Sequence, residues 1–544
     1  MASISRVLAR IDGRGYKAYR ELLGASEVVR GLRVTVTRVQ GDPFAPPSVV
    51  RVEAEVRLPP WSRGAETAVA DYLYRRLWRA LRGRSRRMGE GRSGFLGVPR
   101  PGPVMLRRSG LEVHGATVVV RAWAGLPSRR RRVLGDAASE LLLEALPAAV
   151  EEALRGLRDP GLRGHVEAWR LQGEVRAALP RLGLVAFVGD GSILPRRCGG
   201  CEDPLPGAVP FESPPSMRVE VETSVDVVTG MGVPRGATVV AGTAFHGKTT
   251  LLEAIQYGIY NHVPGDGRER VVAVRDAVKI RAEDGRRVAC VDISTFIHDL
   301  PGGRGTTCFT TSDASGATSM AAAIQEAVEA GSTLLLIDED TSATNLLFYD
   351  ERARPLLRRK TVTTVSEQTA SMASRGLSLI IVSSGSMPLI ASASHVLVME
   401  DYRPRDATEE ARRLSQSYRP PQEPYRPPMQ RRYTRLPALE KPRLQGTWLT
   451  SRSLEEPLDL GFNEQLVEEG QLRLLVALSI LLPRLARGNT PKELASLVDE
   501  TLEREGFRGL LGREPGPGLS EVRGLDVVML ANRLPGTEAR LGKG

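Results

Sequence analysis

Apolar and polar positions in the first third of the chain follow the periods of strands and helices. Residues 32–40 (LRVTVTRVQ) and 48–58 (SVVRVEAEVRL) alternate with the period of two that half-buried strands show. Residues 64–83 follow a helical period, and 111–123 (LEVHGATVVVRAW) predict further strand. We therefore expect an α+β domain over residues 1–165.

Between residues 166 and 403, short apolar runs alternate with helical or loop stretches. Buried strands that alternate with helices form mostly parallel sheets with helices on their faces. The pattern therefore predicts an α/β domain. Its apolar runs are residues 183–195, 217–223, 237–241, 286–294, 332–340, 377–385 and 395–401.

The composition changes after residue 403. Residues 404–447 are rich in Pro, Arg and Gln and contain Tyr-Arg-Pro-Pro twice, which predicts an extended linker. Its tyrosines and arginines could stack on single-stranded nucleic acid, and a solvated spacer is the alternative. Residues 448–544 are helical in pattern, so we expect a small C-terminal domain that serves as a cap or in dimerisation.

The charge balance is basic, with 75 Lys and Arg against 64 Asp and Glu, for a net charge of +11. Such an excess suits a polyanionic partner. Within residues 1–165, arginines cluster beside glycines, so we predict contact with RNA or single-stranded nucleic acid, a solvated surface being the alternative. The predicted contact residues are Arg75, Arg76, Arg84, Arg86, Arg87, Arg92, Arg129, Arg130, Arg131 and Arg132.

The sequence gives little indication of a membrane-spanning segment or of a zinc site. No segment has the roughly 18 consecutive apolar residues that a membrane span needs, and the N-terminus lacks the apolar core of a signal peptide. We expect no membrane partner and a cytoplasmic location. Cys198 and Cys201 form a lone pair with zinc or redox spacing, but without a second pair we expect ordinary thiols, as at Cys290 and Cys308.

The chemistry concentrates in residues 237–261, ATVVAGTAFHGKTTLLEAIQYGIYN. An apolar run, a Gly-x-x-x-x-Gly-Lys-Thr turn and a helical pattern follow one another, which is the context of a P-loop. The turn's N–H groups and the helix N-terminus would hold phosphates, Lys248 would reach the β and γ phosphates, and Thr249 would hold Mg²⁺. The predicted nucleotide-binding residues are Gly242, Thr243, Ala244, Phe245, His246, Gly247, Lys248, Thr249 and Thr250.

Two further motifs follow the P-loop. The apolar run 334–337 ends in Asp338, which would hold Mg²⁺ with Thr249, and in Glu339, which would act as the general base towards water. Upstream of it, Ser315-Gly316 opens a helical pattern and predicts a second anion site.

These motifs, in this order and spacing, resemble the ABC-type ATPases, which carry a Leu-Ser-Gly-Gly-Gln signature, a helix and a Walker B strand. Residues 338–345 (DEDTSATN) are similar to the run Asp-Glu-Pro-Thr-Ser-Ala-Leu-Asp of that class. The resemblance implies a head-to-tail homodimer in which Ser315-Gly316 of one copy caps the γ-phosphate on the P-loop of another. Ser384 stands where a switch histidine is expected, so the implied catalytic set is Lys248, Glu339 and Ser384.

A closer resemblance covers nearly the full length of the chain. DGRGYKAY, QGDPFAPPS and LDLGFNEQLVEEGQ, together with residues 260–269 and 278–284, look like the family of predicted ATPases of the ABC class. The family implies ATP and Mg²⁺ as cofactors, and its kinetoplastid branch, which is linked to mitochondrial RNA editing, implies a homodimer that binds RNA. Between Phe211 and Phe245 there is no aromatic residue to stack on adenine, which leaves base recognition open.

The sequence therefore predicts an ABC-class ATP hydrolase that couples dimerisation to the binding of RNA or single-stranded nucleic acid. Three alternatives stay open. They are a nucleotide-gated scaffold with little hydrolysis, a P-loop kinase and the motor subunit of a transporter.

Overall fold

A computed structural model describes residues 2–300, 303, 305–350, 356, 359–418 and 421–542. The chain divides into two compact units. The first consists of Met1–Trp169, Glu468–Leu474 and Phe507–Glu521, and the second of Arg170–Val467, Leu475–Gly506 and Val522–Gly544. Residues after 448 are thus shared between the units. The predicted division into domains 1–165, 166–403 and 448–544 with a linker at 404–447 stays a prediction.

The first unit is built on an antiparallel sheet. Its strands β1 to β9 are Ser26–Val29, Leu32–Arg38, Ser48–Glu55, Leu96–Gly97, Val104–Met105, Leu111–His114, Thr117–Ala124, Ser128–Arg129 and Arg132–Val133. The sheet has the order β1-β2-β3-β7-β4, and β6 also pairs with β7. Strands β3 and β7 pair along their whole length, which makes them its centre.

The first unit also contains helices, as the mixed pattern predicts. They are α1 (Ile4–Ile11), α2 (Glu66–Arg84), α3 (Gly135–Ser139), α4 (Leu146–Leu154) and α5 (Pro160–Ala178), the last of which crosses into the second unit. A π-helical turn joins α3 to α4. Helix α2 buries Leu73, Leu77 and Leu81 at spacings of four, so one apolar stripe holds it in place.

A buried charge cluster fixes α2 inside the first unit. The side chain of Asp71 is fully buried and accepts hydrogen bonds from Arg75 (2.7 Å), His165 (2.8 Å) and Arg108. Arg108 is also buried and pairs with Glu468. Burial alone would raise the pKa of Asp71, but Arg75 and Arg108 outweigh it and hold that pKa far below its usual range. The carboxylate therefore stays charged.

Replacing Asp71 with Asn should lower the free energy of unfolding by about 3 kcal/mol or more, because Arg108 loses a buried counter-charge. The contribution of a carboxylate with a depressed pKa is lost as the pH falls, so the difference between wild type and variant should shrink below about pH 4. Urea denaturation followed by circular dichroism measures both effects. Asp159→Asn, which breaks the more exposed pair with Arg76, is the control and should have a much smaller effect.

The second unit contains strands β10 to β27 and helices α6 to α15, except that residues 469–474 of α12 and 507–511 of α14 belong to the first unit. The strands are Leu184–Gly189, Arg218–Glu222, Val227–Pro234, Ala237–Ala241, Asn261–His262, Val271–Ala273, Val278–Ile280, Val288–Val291, Phe309–Thr311, Leu334–Asp338, Ser378–Val382, His395–Glu400, Arg403–Asp406, Arg431–Arg435, Arg443–Gln445, Trp448–Thr450, Leu458–Asp459 and Glu538–Leu541. The helices are Lys248–Tyr257, Gly316–Glu329, Thr344–Leu347, Val365–Ser374, Met387–Ser392, Thr408–Leu414, Glu469–Ser479, Leu482–Leu485, Pro491–Leu511 and Gly524–Arg533.

A six-stranded sheet with the order β16-β19-β20-β13-β21-β22 forms the centre of this unit. Its first five strands are parallel and β22 is antiparallel, which confirms the predicted mostly parallel sheet. Every residue of β13, β19 and β20 is buried, as expected for strands covered on both faces. The carboxyl ends of β13, β19, β20 and β21 therefore meet at one edge.

Three predicted strands do not join this sheet. The runs 183–195 and 217–223 supply β10 and β11 of a separate antiparallel sheet, β11-β12-β10-β15. The run 286–294 supplies β17, which pairs antiparallel with β18. The burial of a strand fixes its apolar character but not the direction of its partner, so the sequence pattern could not separate these strands from the parallel set.

The Pro/Arg-rich segment 404–447 carries defined structure in its described residues, 404–418 and 421–447, including α11, β23 and β24. Arg419 and Pro420 of the first Tyr-Arg-Pro-Pro copy lie outside the described residues. Tyr425 and Tyr433 are each 1% exposed, and their hydroxyls donate to Gln325 and Asn532. Their burial removes the base-stacking role that the sequence pattern allows for these two rings. Within the described part of the chain, no helix has the length and apolar character to cross a membrane.

Candidate nucleotide-binding site

The P-loop connects β13 to α6 through two glycines in the left-handed region. Gly242 has a φ of 142°, and Gly247, the N-cap of α6, has a φ of 91°. A Cβ at Gly242 would lie 2.8 Å from the carbonyl oxygen of Met399, and one at Gly247 would lie 3.0 Å from Cδ1 of Tyr402. Other residues would therefore distort the loop, whose concave turn and helix N-terminus suit an anion.

Lys248 and Thr249 begin helix α6 and carry its polar chemistry. The ammonium of Lys248 donates to the carbonyl of Thr243 at 2.7 Å, which leaves two of its three donors for phosphate oxygens. The hydroxyl of Thr249 lies 3.2 Å from Oδ2 of Asp338. This hydroxyl and carboxylate fit Mg²⁺ in a P-loop, where phosphate and water complete the coordination. Elsewhere in the described ranges, no cluster of three or more His, Cys, Asp or Glu could hold a metal ion.

Glu339 and Ser384 meet although 45 positions separate them in the chain. Glu339 follows β19 and Ser384 follows β20, and these strands are adjacent and parallel. Oε2 of Glu339 accepts hydrogen bonds from the backbone N–H of Ser384 at 2.9 Å and from its hydroxyl at 3.2 Å. Ser384 thus fixes the orientation of the carboxylate of Glu339, the predicted general base.

The middle of the P-loop departs from a glycine-rich loop. Phe245 is 93% exposed and has a φ of 68°, a conformation that glycine adopts at lower cost. Nδ1 of His246 accepts a hydrogen bond from the backbone N–H of Asp401 at 2.8 Å, which joins the loop to the turn after β21. Ala244 is exposed and Thr250 is half-buried.

Ser315 caps the N-terminus of α7 at the surface. Its hydroxyl lies 3.0 Å from Oγ1 of Thr318, and Gly316 begins the helix next to the carboxylate of Asp284. Ser315 is exposed, and its side chain bonds within its own helical turn. Its predicted role on the nucleotide of a second copy stays a prediction.

Lys279 of β16 adds a charge that the sequence analysis does not assign to the site. It is 9% exposed, on the strand beside β19. Burial lowers the pKa of its ammonium, and the charge of Asp338 opposes that shift. A second cation therefore lies near the predicted Mg²⁺ ligand.

The predicted nucleic-acid residues, all in the first unit, fall into two groups. In α2, Arg75 holds Asp71, Arg76 pairs with Asp159 at 2.5 Å, and Arg84 pairs with Glu152 at 2.7 Å. These three side chains are half-buried, so they serve the packing of the unit. The other members are exposed, and one of them, Arg86, pairs with Glu140. The exposed residues are Arg86, Arg87, Arg92 and Arg129 to Arg132.

The four consecutive arginines form the tip of the hairpin β8–β9. Arg129 and Arg132 are opposite each other in the backbone pairing of the two strands, and the turn residues Arg130 and Arg131 have φ values of 52° and 55°. Glu90 accepts the backbone N–H of Arg131 at 2.5 Å and anchors the turn. The structure therefore concentrates exposed guanidinium groups on a short, anchored turn.

The cysteines correct the expectation of ordinary thiols. Cys198 forms a disulfide with Cys201, and Cys290 forms one with Cys308. The second pair follows from the antiparallel pairing of β17 with β18, which brings together residues that are distant in sequence.

Two family models match successive parts of the chain. Residues 158–432 match the P-loop domain of ABC ATPases, and residues 1–157 match the N-terminal part of ATPases of the ABC class. The chain belongs to the family of ABC-class ATPases. The resemblance drawn from the sequence is thereby confirmed.

The ABC-class ATPase is also similar to individual proteins. It is 35% identical over 183 residues to an uncharacterized protein of Methanocaldococcus jannaschii, a match that covers 32% of this chain and 41% of that relative. An ATP-binding cassette of an ABC transporter in its ADP conformation aligns with 36% of this chain and 93% of its own, at 10% identity and a TM-score of 0.24. The protein cbiO1 of Clostridium perfringens, part of the ABC transporter complex cbiONQ, aligns with 41% of this chain and 87% of its own, at 13% identity and a TM-score of 0.23.

Replacing Lys248 with Ala should weaken ATP binding at least tenfold, because a hydrogen-bonded charge contact to phosphate is lost, worth about 1.5 kcal/mol or more. Isothermal titration calorimetry measures the change in Kd. Lys492→Ala removes an equal charge from an exposed position in α14 and should leave Kd unchanged. Equal affinity in the Lys248 variant and wild type would contradict the assignment of the loop.

Proposed function

We propose that this ABC-class ATPase binds ATP with Mg²⁺ on the P-loop and hydrolyses it, with Glu339 as general base. The observation that carries the proposal is the position of Glu339. It directly follows Asp338, which bonds Thr249, and two donors of Ser384 hold its carboxylate. A carboxylate fixed beside a phosphate cradle is suited to polarise water rather than to bind metal.

Each residue has a separate task in this proposal. The glycine loop and Lys248 bind the triphosphate. Thr249 and Asp338 hold Mg²⁺, which when bound neutralises charge on the phosphates. Glu339 accepts a proton from the attacking water, and Ser384 keeps its carboxylate in place. Water is then the acceptor, which distinguishes the site from that of a kinase.

We propose further that the active unit is a homodimer. Two features support this: Ser315 is an exposed helix cap whose side chain bonds Thr318, and Phe245 projects from the middle of the P-loop. Both side chains face solvent, so they are accessible to a second copy of the chain. Ser315-Gly316 would then contact the γ-phosphate held by the partner.

Replacing Glu339 with Gln should reduce ATP turnover at least about 100-fold, because the general base is lost while phosphate binding is kept. ATP should then accumulate on a dimer, measured by light scattering beside a phosphate-release assay. Ser384→Ala is the graded control: its backbone N–H still holds Glu339, so turnover should fall less than tenfold. Full turnover by a strict monomer would contradict the dimeric site, and no turnover in wild type would favour a nucleotide-gated scaffold.

We propose that the basic surface of the first unit binds RNA or single-stranded nucleic acid. The hairpin tip Arg129–Arg132 supports this best, because arginine contacts phosphate through two parallel donors and a short turn presents four of them together. Arg75, Arg76 and Arg84 are half-buried and hold carboxylates, so they are not part of the proposed surface. Arg131 also lies 3.7 Å from Asp42, but its side chain is exposed. The cytoplasmic location stays a prediction.

Replacing Arg129 to Arg132 with Ala should weaken binding of single-stranded RNA and reduce the slope of log K against log salt by about 3, or about 0.7 for each lost phosphate contact. Fluorescence anisotropy with a labelled oligonucleotide measures both. A control variant that removes four exposed arginines of the C-terminal part of the chain should leave the slope nearly unchanged. Those arginines are Arg484, Arg487, Arg504 and Arg508. Equal slopes in the two variants would contradict a role for the hairpin.

A further inference from the structure

The turn after β21 places an aromatic ring against the P-loop. Strands β21 and β22 are joined by Asp401 and Tyr402, with φ values of 48° and 66°. Two-residue hairpin turns of this kind favour Asn or Asp followed by Gly, because both positions need a positive φ. Tyrosine in the second position is strained. Such strain at a ligand site points to a role for the side chain.

The ring of Tyr402 is positioned rather than free. A Cβ built on Gly247 would lie 3.0 Å from Cδ1 of Tyr402, so the ring borders the glycine that precedes Lys248. The backbone N–H of Asp401 donates to Nδ1 of His246 at 2.8 Å, which ties the turn to the loop. Tyr402 is still 52% exposed, so much of the ring stays available to a ligand.

The order of the strands decides which part of a nucleotide would reach this ring. Asp338, Glu339 and Ser384 lie at the ends of β19 and β20, on one side of the P-loop strand β13. Strand β21 lies on the other side of β13. Because the acids would lie at the γ-phosphate end of the site, the sugar and base would extend from the loop on the side of Tyr402.

We propose that Tyr402 stacks on the base of the bound nucleoside triphosphate. Phe245 is also exposed, but it belongs to the loop that would hold the phosphates, whereas Tyr402 borders that loop on the side of β21. Aromatic stacking is tolerant of base identity, so Tyr402 detects the presence of a base more than its type. The inference rests on the proposed function, because it needs triphosphate on the P-loop.

The test compares ATP with tripolyphosphate, which has the phosphates but no base, both with Mg²⁺ and by isothermal titration calorimetry. Tyr402→Ala should raise the Kd of ATP at least about fivefold and change the Kd of tripolyphosphate less than twofold. Tyr402→Phe keeps the ring and should bind ATP like wild type. Tyr402→Gly suits the φ of the turn, so it folds readily and should repeat the loss seen with Ala.

The outcomes separate the inference from the proposed function. Unchanged ATP affinity in Tyr402→Ala and Tyr402→Gly would overturn the stacking role, and so would an equal loss for ATP and tripolyphosphate. If wild type bound neither ligand, the proposed function itself would fail. Arg403→Ala, on the neighbouring exposed residue of β22, should leave both affinities unchanged.

Discussion

The parallel pairing of β13 with β20 and β21 is the constraint on which the site depends. Parallel strands end at the same edge of a sheet, so the residues that follow them become neighbours whatever their distance in sequence. Each part of the site follows the end of such a strand: the P-loop follows β13, Glu339 follows β19, Ser384 follows β20 and the turn at Tyr402 follows β21. The loops carry the functional side chains, and the sheet fixes their positions relative to one another.

The parts of the fold that the sequence predicts are those set by local pattern. The sequence predicts the strand, glycine turn and helix at residues 237–257, because their spacing and chemistry are local. The same holds for the acids after residues 334–337. The direction in which β10, β11 and β17 pair is set by distant partners, and so is the contact between Cys290 and Cys308. No pattern within one segment reveals such partners.

The candidate site divides in the same way. The P-loop and the acids Asp338 and Glu339 can be identified from the sequence, but Lys279 and Tyr402 cannot. Lys279 is an ordinary strand residue and Tyr402 an ordinary turn residue, and only their neighbours in the fold place them at the site. Burial decides the opposite case. Tyr425 lies in a segment that looks extended and solvated, yet its ring is enclosed and its hydroxyl bonds Gln325. Composition describes a segment, whereas function depends on which of its atoms reach the surface.

The hairpin tip in the first unit has a consequence for the protein without any partner. Arg129 and Arg132 face each other across the two strands, and like charges in directly opposed positions repel. The free hairpin therefore carries unfavourable electrostatic energy that dissolved ions can screen. Moderate salt should weaken this repulsion in the free protein while it also weakens attraction to any polyanion, so ionic strength has two opposing effects on the same side chains.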